Sequence, residues 1–220
     1  MSPQRRGLTL GAKVAELAEA QGLSRAFALL WEFLQDGASS AKHPLHTCAL
    51  ATIDSAGIPQ QRTMVLQAAD VNSWQFRFHM DARSPKYFSS ASNGKGDVAS
   101  SCLFYDKSEN LQVRASGRLE LRRSDSHACR EVWSGMTSLG HRCYFQPTAP
   151  SSQAEDLSEV IRVQKELRER AASWEGVDPS PAFAIGFFTV EKLEFLHLSH
   201  TGHRRAVHFL RENSTSWLHP

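Results

Sequence analysis

Two short segments of interleaved apolar and polar residues restrict what the stretch from Ile58 to Lys86 can form. β-forming and polar residues mix from Arg62 to Gln67, and aromatic residues alternate with polar ones from Trp74 to Phe78, which is typical of half-buried strands. The sequence DARSPK then breaks this period. Because Ser is a common N-cap and Pro is favoured at the first helical position, we predict a helix from Ser84 to about Ser92.

Arg62 and Lys86 place a cation at each end of this unit. If the strands pair and the helix begins beside them, both cations and the free amides of the helix can meet one phosphate group. The segment therefore predicts a phosphate-binding corner. Two simpler interpretations remain open: Arg62 as a surface cross-strand charge and Lys86 as an exposed helix lysine.

The composition excludes several other classes of protein. A chain of 220 residues can bury one sizeable core. Its 25 Lys and Arg residues nearly balance 23 Asp and Glu residues, which argues against a dedicated nucleic-acid binder. The four cysteines form no CxxC motif and are interpreted mainly as buried thiols. Since we find neither a signal peptide nor an apolar run of about 18 residues, we expect a cytoplasmic protein with no membrane partner.

The rest of the chain predicts a mainly β protein with flanking helices. We expect two helices between Ala12 and Gln35, with Ser24 capping the second, a helix capped at Ser124-Asp125 that ends near Trp133, and a helix over Ala154–Ala172. The predicted strands span 45–53, 58–67, 74–80, 98–105, 111–121, 183–190, 192–198 and 206–210. Tight turns between strands favour a barrel-like antiparallel sheet, although a sandwich has the same periodicity. We expect a tail and helix over residues 1–23 and a single domain over residues 24–220.

Three stretches together resemble a known family: LATIDSAGIPQQRTMVL, FHMDARSPK, and LQVRASGRLEL after LFYD. They are similar to the pyridoxamine 5'-phosphate oxidase-like FMN-binding split-barrel family, over roughly residues 24–220. The resemblance implies an antiparallel, Greek-key type split β-barrel that forms a homodimer, with FMN in a groove between the subunits. The residues that it assigns to FMN are Arg62, Thr63, Met64, Val65, Gln67, His79, Met80, Arg83, Ser84, Lys86, Gln112, Gln146 and His208.

The resemblance also implies roles for these residues. Arg62 and Lys86 match phosphate contacts, His79 and Met80 match a segment on the flavin, and Gln112 matches a polar cofactor contact. Gln112 is equally compatible with a solvated strand position. The family's arginine before the lysine is replaced by Pro85, and Arg83 is its expected substitute.

Other positions depart from the oxidase pattern. Where the family holds its substrate phosphate with Lys, Tyr, Arg and Ser, this chain has Gln67, Glu131, Gly135 and Leu139. Each lost charged contact is worth about 1.5–3 kcal/mol, so pyridoxine phosphate should bind poorly. The family's Trp and Arg beside the flavin are matched by Leu196 and His208. We therefore expect an FMN-dependent oxidoreductase that acts on a different, unidentified small substrate.

A second class of function stays open because the C-terminal region is rich in histidine. His197, His200, His203 and His208 suggest a haem or metal site, and hence a non-catalytic sensor, carrier or haem-handling protein. Surface turn histidines without a metal are the favoured interpretation, since no carboxylate partner is in register. One of them can also serve as a proton donor at a flavin. Arg142 and Tyr144, in the long loop from Gly135 to Ser152, are expected on the substrate side.

Overall fold

The structure is a computed structural model that describes residues 10–84, 96–170 and 176–220. The helices among these residues are α1 (Leu10–Gln21), α2 (Leu23–Ser39), α3 (His127–Ser134), α4 (Ser138–His141) and α5 (Leu157–Glu169). The strands are β1 (Thr47–Ile53), β2 (Pro59–Val65), β3 (Ala68–Asp70), β4 (Gln75–Asp81), β5 (Asp97–Asp106), β6 (Leu111–Arg123), β7 (Phe183–His197), β8 (Arg204–Phe209) and β9 (Ser214–Leu218). Short 3-10 turns occupy Pro44–His46 and Arg142–Tyr144.

The described strands form one antiparallel sheet in the order β2-β1-β5-β6-β7-β4-β3. The first half of β7 pairs with β4, and its second half pairs with β8, which in turn pairs with β9. The sheet curls so that β2 approaches β4, but these two strands do not pair. The sheet is therefore open, as in a split barrel, and the predicted fold class is confirmed.

Helix α2 covers the inner face of the sheet. Phe27, Leu30, Trp31 and Leu34 lie one helical turn or less apart and are all buried. They pack with buried strand residues in the main hydrophobic core. Because burial of each large apolar side chain contributes about 1.5–3 kcal/mol, this stripe accounts for much of the attachment of α2.

A smaller apolar cluster attaches α3 to the other face of the sheet. Cys129 and Trp133 of α3 pack against Phe183 and Ile185 of β7. The Trp133 indole Nε1 also donates to the Val177 carbonyl over 2.8 Å. These contacts hold α3 beside the strands β7 and β4, which pair with each other.

Several helix boundaries differ from the sequence-based expectation. Gly22, with φ near 90°, separates α1 from α2, and Ser24 lies inside α2 instead of capping it. Glycine adopts this left-handed conformation without the steric penalty of a side chain. The break between the two helices therefore falls at Gly22, and no capping side chain is needed there. The N-cap of α3 is Ser126, whose hydroxyl accepts from the Cys129 amide, and not Ser124 or Asp125. Helix α5 begins at Leu157, three residues later than predicted.

The C-terminal strands also differ from the prediction. Residues 183–197 form one continuous strand where two were expected, and β9 was not predicted. The long loop from Gly135 to Ser152 contains α4 and a 3-10 turn. Of the predicted helix from Ser84 to Ser92, only Ser84 lies within the described residues. Among the helices that the structure describes, none is long and apolar enough to cross a membrane.

Candidate functional site

A cavity of about 380 Å³ lies where β2 and β4 approach each other, and we call it the groove. Its walls include Met64 of β2, His79 and Met80 of β4, and Gln146 of the loop that follows the 3-10 turn. These four residues were predicted from the sequence as cofactor contacts. Tyr144, predicted on the substrate side, also lines the groove. The structure thus brings together side chains that are up to 82 positions apart in the chain.

Arg83 connects the end of β4 to this loop. Its guanidinium donates to the Asp81 carboxylate from Nε at 3.0 Å and from Nη2 at 2.7 Å. The same group donates from Nη1 to the Gln146 carbonyl over 2.9 Å. Hydrogen bonding to Asp81 raises the pKa of Arg83. Arg83 therefore holds the groove wall in place, and its contact with the FMN phosphate stays a prediction.

Arg62 projects from the inner face of β2, two positions before Met64 and on the same side of the strand. Its Nη1 donates to Thr52 Oγ1 over 2.7 Å and more weakly to the Leu50 carbonyl over 3.3 Å. Burial lowers the pKa of Arg62. Among the described residues, no carboxylate lies within ion-pair distance of Arg62, so its positive charge stays available for an anion. It is half-buried, unlike the exposed cross-strand charge of the simpler interpretation.

Four other predicted cofactor residues do not line the groove: Thr63, Val65, Ser84 and Gln112. Thr63 and Val65 project from the exposed face of β2. Gln112 lies on β6 opposite Tyr105 and Leu196, on the face of the sheet turned away from α2. Ser84 is buried just after β4, and Lys86 lies outside the described residues.

His208 is placed in the core, and its position corrects the interpretation of the histidines as surface turn residues. Its ring lies 5.3 Å from that of Phe27 and 5.8 Å from that of Trp74, and only 7% of the residue is exposed. It does not line the groove. His200 and His203 are exposed, as expected. Within residues 10–84, 96–170 and 176–220, no group of three or more His, Cys, Asp or Glu residues is arranged to hold a metal ion.

A second cavity of about 610 Å³ lies between β4 and α3, and we call it the side pocket. Gln67, Glu131 and Gly135 line it, so three of the four positions matched to the oxidase's substrate residues converge here. Leu139, the fourth, is 61% exposed and does not line the pocket. His79 lines both the side pocket and the groove, which makes it the wall that they share.

Arg77 is the residue of the side pocket that sequence reasoning missed. It lies on β4 two positions before His79 and on the same face of the strand. Buried Nε of Arg77 and buried Nε2 of His79 have no hydrogen-bond partner in the part of the chain that the structure describes. The signal in the sequence was the alternation in WQFRFHM, which puts Arg77 and His79 on one face and Phe76 and Phe78 on the other.

The electrostatics of these cavities follow from burial. Burial, followed by the positive charge of Arg77, lowers the pKa of His79 to about 4, so its imidazole is neutral at pH 7. Burial lowers the pKa of Arg77, and the carboxylate of Glu131 partly opposes this effect. Burial raises the pKa of Tyr144 well above its usual value, so the phenol keeps its proton in the groove.

Comparison with known proteins identifies the fold and its cofactor. Residues 28–123 match the sequence model of the family described as "Pyridoxamine 5'-phosphate oxidase, FMN-binding domain". This segment is therefore similar to a pyridoxamine 5'-phosphate oxidase-like, FMN-binding domain. The resemblance and the FMN prediction are thereby confirmed.

One relative is similar in sequence, and two solved structures are similar in fold. The pyridoxine/pyridoxamine 5'-phosphate oxidase of Brucella canis is 28% identical over 173 residues, which cover 78% of this chain and 79% of the relative. The fold is similar to that of PhzG from Burkholderia lata 383, solved with tetrahydrophenazine-1-carboxylic acid, with a TM-score of 0.70 and 21% identity over 88% of this chain and 92% of PhzG. An FMN-binding protein of Nostoc punctiforme, described as related to pyridoxamine 5'-phosphate oxidase, has a TM-score of 0.65 and 18% identity over 88% of this chain and 96% of the other.

Arg62 and the residues that line the groove suit FMN. A phosphate group needs a cation without a competing carboxylate, and Arg62 is such a cation. The flat flavin ring suits apolar walls, which Met64 and Met80 provide, with polar groups at the edge, such as Gln146. Arg62 and Met64 are two residues apart, or about 7 Å along the strand, so phosphate and ring contacts can come from the same strand.

Proposed function

We propose that this protein is an FMN-dependent oxidoreductase whose small organic substrate binds in the side pocket. The observation that carries this proposal is that His79 lines both the side pocket and the groove. A substrate in the pocket and a flavin in the groove would therefore meet at one side chain. When bound, FMN supplies the redox chemistry, and the protein binds and orients the reactants.

The roles of the individual residues follow from their surroundings. Arg62 binds the phosphate of FMN, together with Lys86 and the Ser84 hydroxyl. Met64 and Met80 pack against the flavin ring, and the ion pair between Arg83 and Asp81 keeps Gln146 in place beside it. Neutral His79 offers one hydrogen bond from Nε2 at the boundary between flavin and substrate.

The proposed substrate is not pyridoxamine 5'-phosphate. The side pocket holds the neutral Gln67, a carboxylate on Glu131 and a glycine at position 135, where the oxidase resemblance requires groups that bind phosphate. Arg77 is the one cation among the described pocket residues that could replace these phosphate-binding groups. The curated relatives named pyridoxine/pyridoxamine 5'-phosphate oxidase are 28% identical, a level at which substrate residues can differ.

The proposal includes a homodimer. Val65, Leu103 and Tyr105 are 38%, 40% and 46% exposed and lie on the face of the sheet turned away from α2. Gln112 lies on the same face, opposite Tyr105. Three exposed apolar side chains on one face of the sheet favour a protein–protein interface there. In the dimer a second copy covers this face, and Gln112 reaches the FMN held mainly by the other subunit. A cytoplasmic location completes the proposal.

A flavin-reduction screen tests the oxidoreductase function. The purified protein is loaded with FMN, kept free of oxygen, and mixed with amines, alcohols and partly reduced aromatic acids. At least one class should bleach the visible absorbance of the flavin, and oxygen should restore it. If no compound bleaches the bound flavin while a chemical reductant does, the protein binds FMN without turning over these substrates, and the proposal fails.

A further inference from the structure

We infer that the side pocket recognises its substrate through a single carboxylate group, which pairs with Arg77, and that Glu131 selects against phosphate esters. This inference rests on the proposed function, since it assigns the substrate class of the same pocket.

Arg77 has no ion-pair partner among the described residues, unlike several other arginines of the same sheet. Arg114 and Arg205 pair with Glu194, whereas Arg118 pairs with Asp97 and Arg122 with Glu120. Within the described ranges, Arg77 has no ion-pair partner within 4 Å, and its buried Nε has no acceptor. A buried donor without a partner is unfavourable, so an acceptor oxygen supplied by a ligand stabilises the complex.

Among the described residues that line the pocket, Arg77 is the single cation, so the pocket can pair with one anionic charge. Arg77 contributes one positive charge and Glu131 one negative charge, while Gln67 is neutral. His79 is neutral as well, because burial keeps it unprotonated. The planar guanidinium of Arg77 can meet the two oxygens of a carboxylate. A phosphate ester carries about two negative charges. Arg77 can pair with only one of them, and Glu131 repels the ester about twice as strongly as it repels a carboxylate.

His79 fixes the direction in which the substrate extends. The Cα atoms of Arg77 and His79 are about 7 Å apart along β4, since the two residues are separated by two positions of a strand. A molecule whose carboxylate lies on Arg77 passes His79 on its way to the groove. A hydroxyl, amine or ring nitrogen at this distance can pair with the unpartnered Nε2 of His79. The cavity volume of about 610 Å³ accommodates a small cyclic carboxylate of this kind.

Calorimetric titration with benzoate and phenyl phosphate tests the inference, because the two probes differ mainly in the anionic group. The protein loaded with FMN should bind benzoate more tightly than phenyl phosphate. In Arg77→Gln, benzoate affinity should fall about tenfold or more, because a charge-assisted contact is lost. In Glu131→Gln, phenyl phosphate affinity should rise several-fold while benzoate changes less. Arg118→Gln removes a paired arginine of the same sheet and should leave benzoate binding unchanged.

Two results would overturn the inference. One is that the unaltered protein binds phenyl phosphate more tightly than benzoate, or does not bind benzoate at all. The other is unchanged benzoate affinity in Arg77→Gln, with the fold verified by circular dichroism. Separate FMN titrations of every variant distinguish the two proposals. FMN binding without benzoate binding contradicts only the carboxylate inference, whereas Arg77-dependent benzoate binding without FMN binding contradicts only the proposed function.

Discussion

The guanidinium of Arg83 donates to the main-chain carbonyl of Gln146 over 2.9 Å while it holds the carboxylate of Asp81. These contacts join the end of β4 to a loop more than 60 residues later in the chain, so the two walls of the groove form one unit. An FMN site built in this way depends on residues that do not touch the cofactor as well as on those that do.

Asp81→Asn tests the dependence of the groove on this ion pair. The substitution keeps the shape of the side chain but removes the charge that orients Arg83. Because Asp81 is only 8% exposed, we expect a loss of about 1–3 kcal/mol in the free energy of unfolding. Amide hydrogen exchange should also become faster around Gln146. Unchanged exchange there would mean that the loop is held by other contacts. Asp97→Asn, at a partly exposed pair with Arg118, is the matched control.

Arg62→Ala tests the phosphate contact. Loss of this half-buried cation should weaken FMN binding by about 2–3 kcal/mol, measured by titrating the flavin-free protein and following flavin fluorescence. Arg162→Ala, which removes an exposed arginine of α5, should leave the affinity unchanged. If Arg62→Ala binds FMN as tightly as the unaltered protein while keeping its melting temperature, Arg62 does not bind the phosphate.

The buried carboxylate of Glu194 should stabilise the fold at neutral pH and lose this effect in acid. Burial acts to raise the pKa of Glu194, but hydrogen bonds from Arg205, Lys192 and Arg114 outweigh it and lower the pKa to about 2. The ordinary value is 4.5, so the carboxylate stabilises the fold above pH 4.5 and this stabilisation is lost as the pH falls toward 2. The contribution is on the order of 3 kcal/mol at neutral pH.

Urea unfolding of Glu194→Gln at several pH values checks this prediction. The variant should be less stable than the unaltered protein at pH 7, and the difference should shrink as the pH falls from 4.5 toward 2. A constant difference over this range would show that the charge of Glu194 is not what stabilises the fold. Glu166→Gln, at an exposed pair on α5, serves as the control and should have little effect.

The activity with pyridoxamine 5'-phosphate provides a further prediction. Because the side pocket has Gln67, Glu131 and a glycine at position 135 instead of phosphate-binding groups, turnover should be far below that of an authentic oxidase. The measurement is oxygen consumption by the protein loaded with FMN, with an authentic oxidase assayed in parallel. Turnover within about tenfold of that enzyme would contradict the roles given to the pocket residues, since two lost cationic contacts imply a larger effect.

Local patterns were sufficient to predict much of the fold. The stripe of Phe27, Leu30, Trp31 and Leu34 predicted a helix that packs on the sheet, and alternation around Phe76 predicted β4. These patterns are reliable because each residue's burial follows from the period of its own element. Strand β9 was missed since its sequence, STSWL, is largely polar and pairs only with β8.

The site was predicted less completely because it depends on contacts between distant segments. Met64, His79, Met80 and Gln146 were found through the resemblance to a family and do converge on the groove. Arg77 was missed because its surroundings are created by α3, about 50 residues later in the chain. The position of His208 in the core likewise depends on Phe27 of α2, which no local pattern around His208 reveals.

An absorbance spectrum of the purified protein, recorded before and after denaturation releases any chromophore, is the decisive test of FMN binding in the groove. We expect a flavin spectrum with one FMN per chain. If the protein is colourless as purified, titration with FMN should give saturable, stoichiometric binding. Neither bound flavin nor binding on titration would contradict the proposed site, since Arg62, Met64 and Met80 would then form a scaffold without a cofactor.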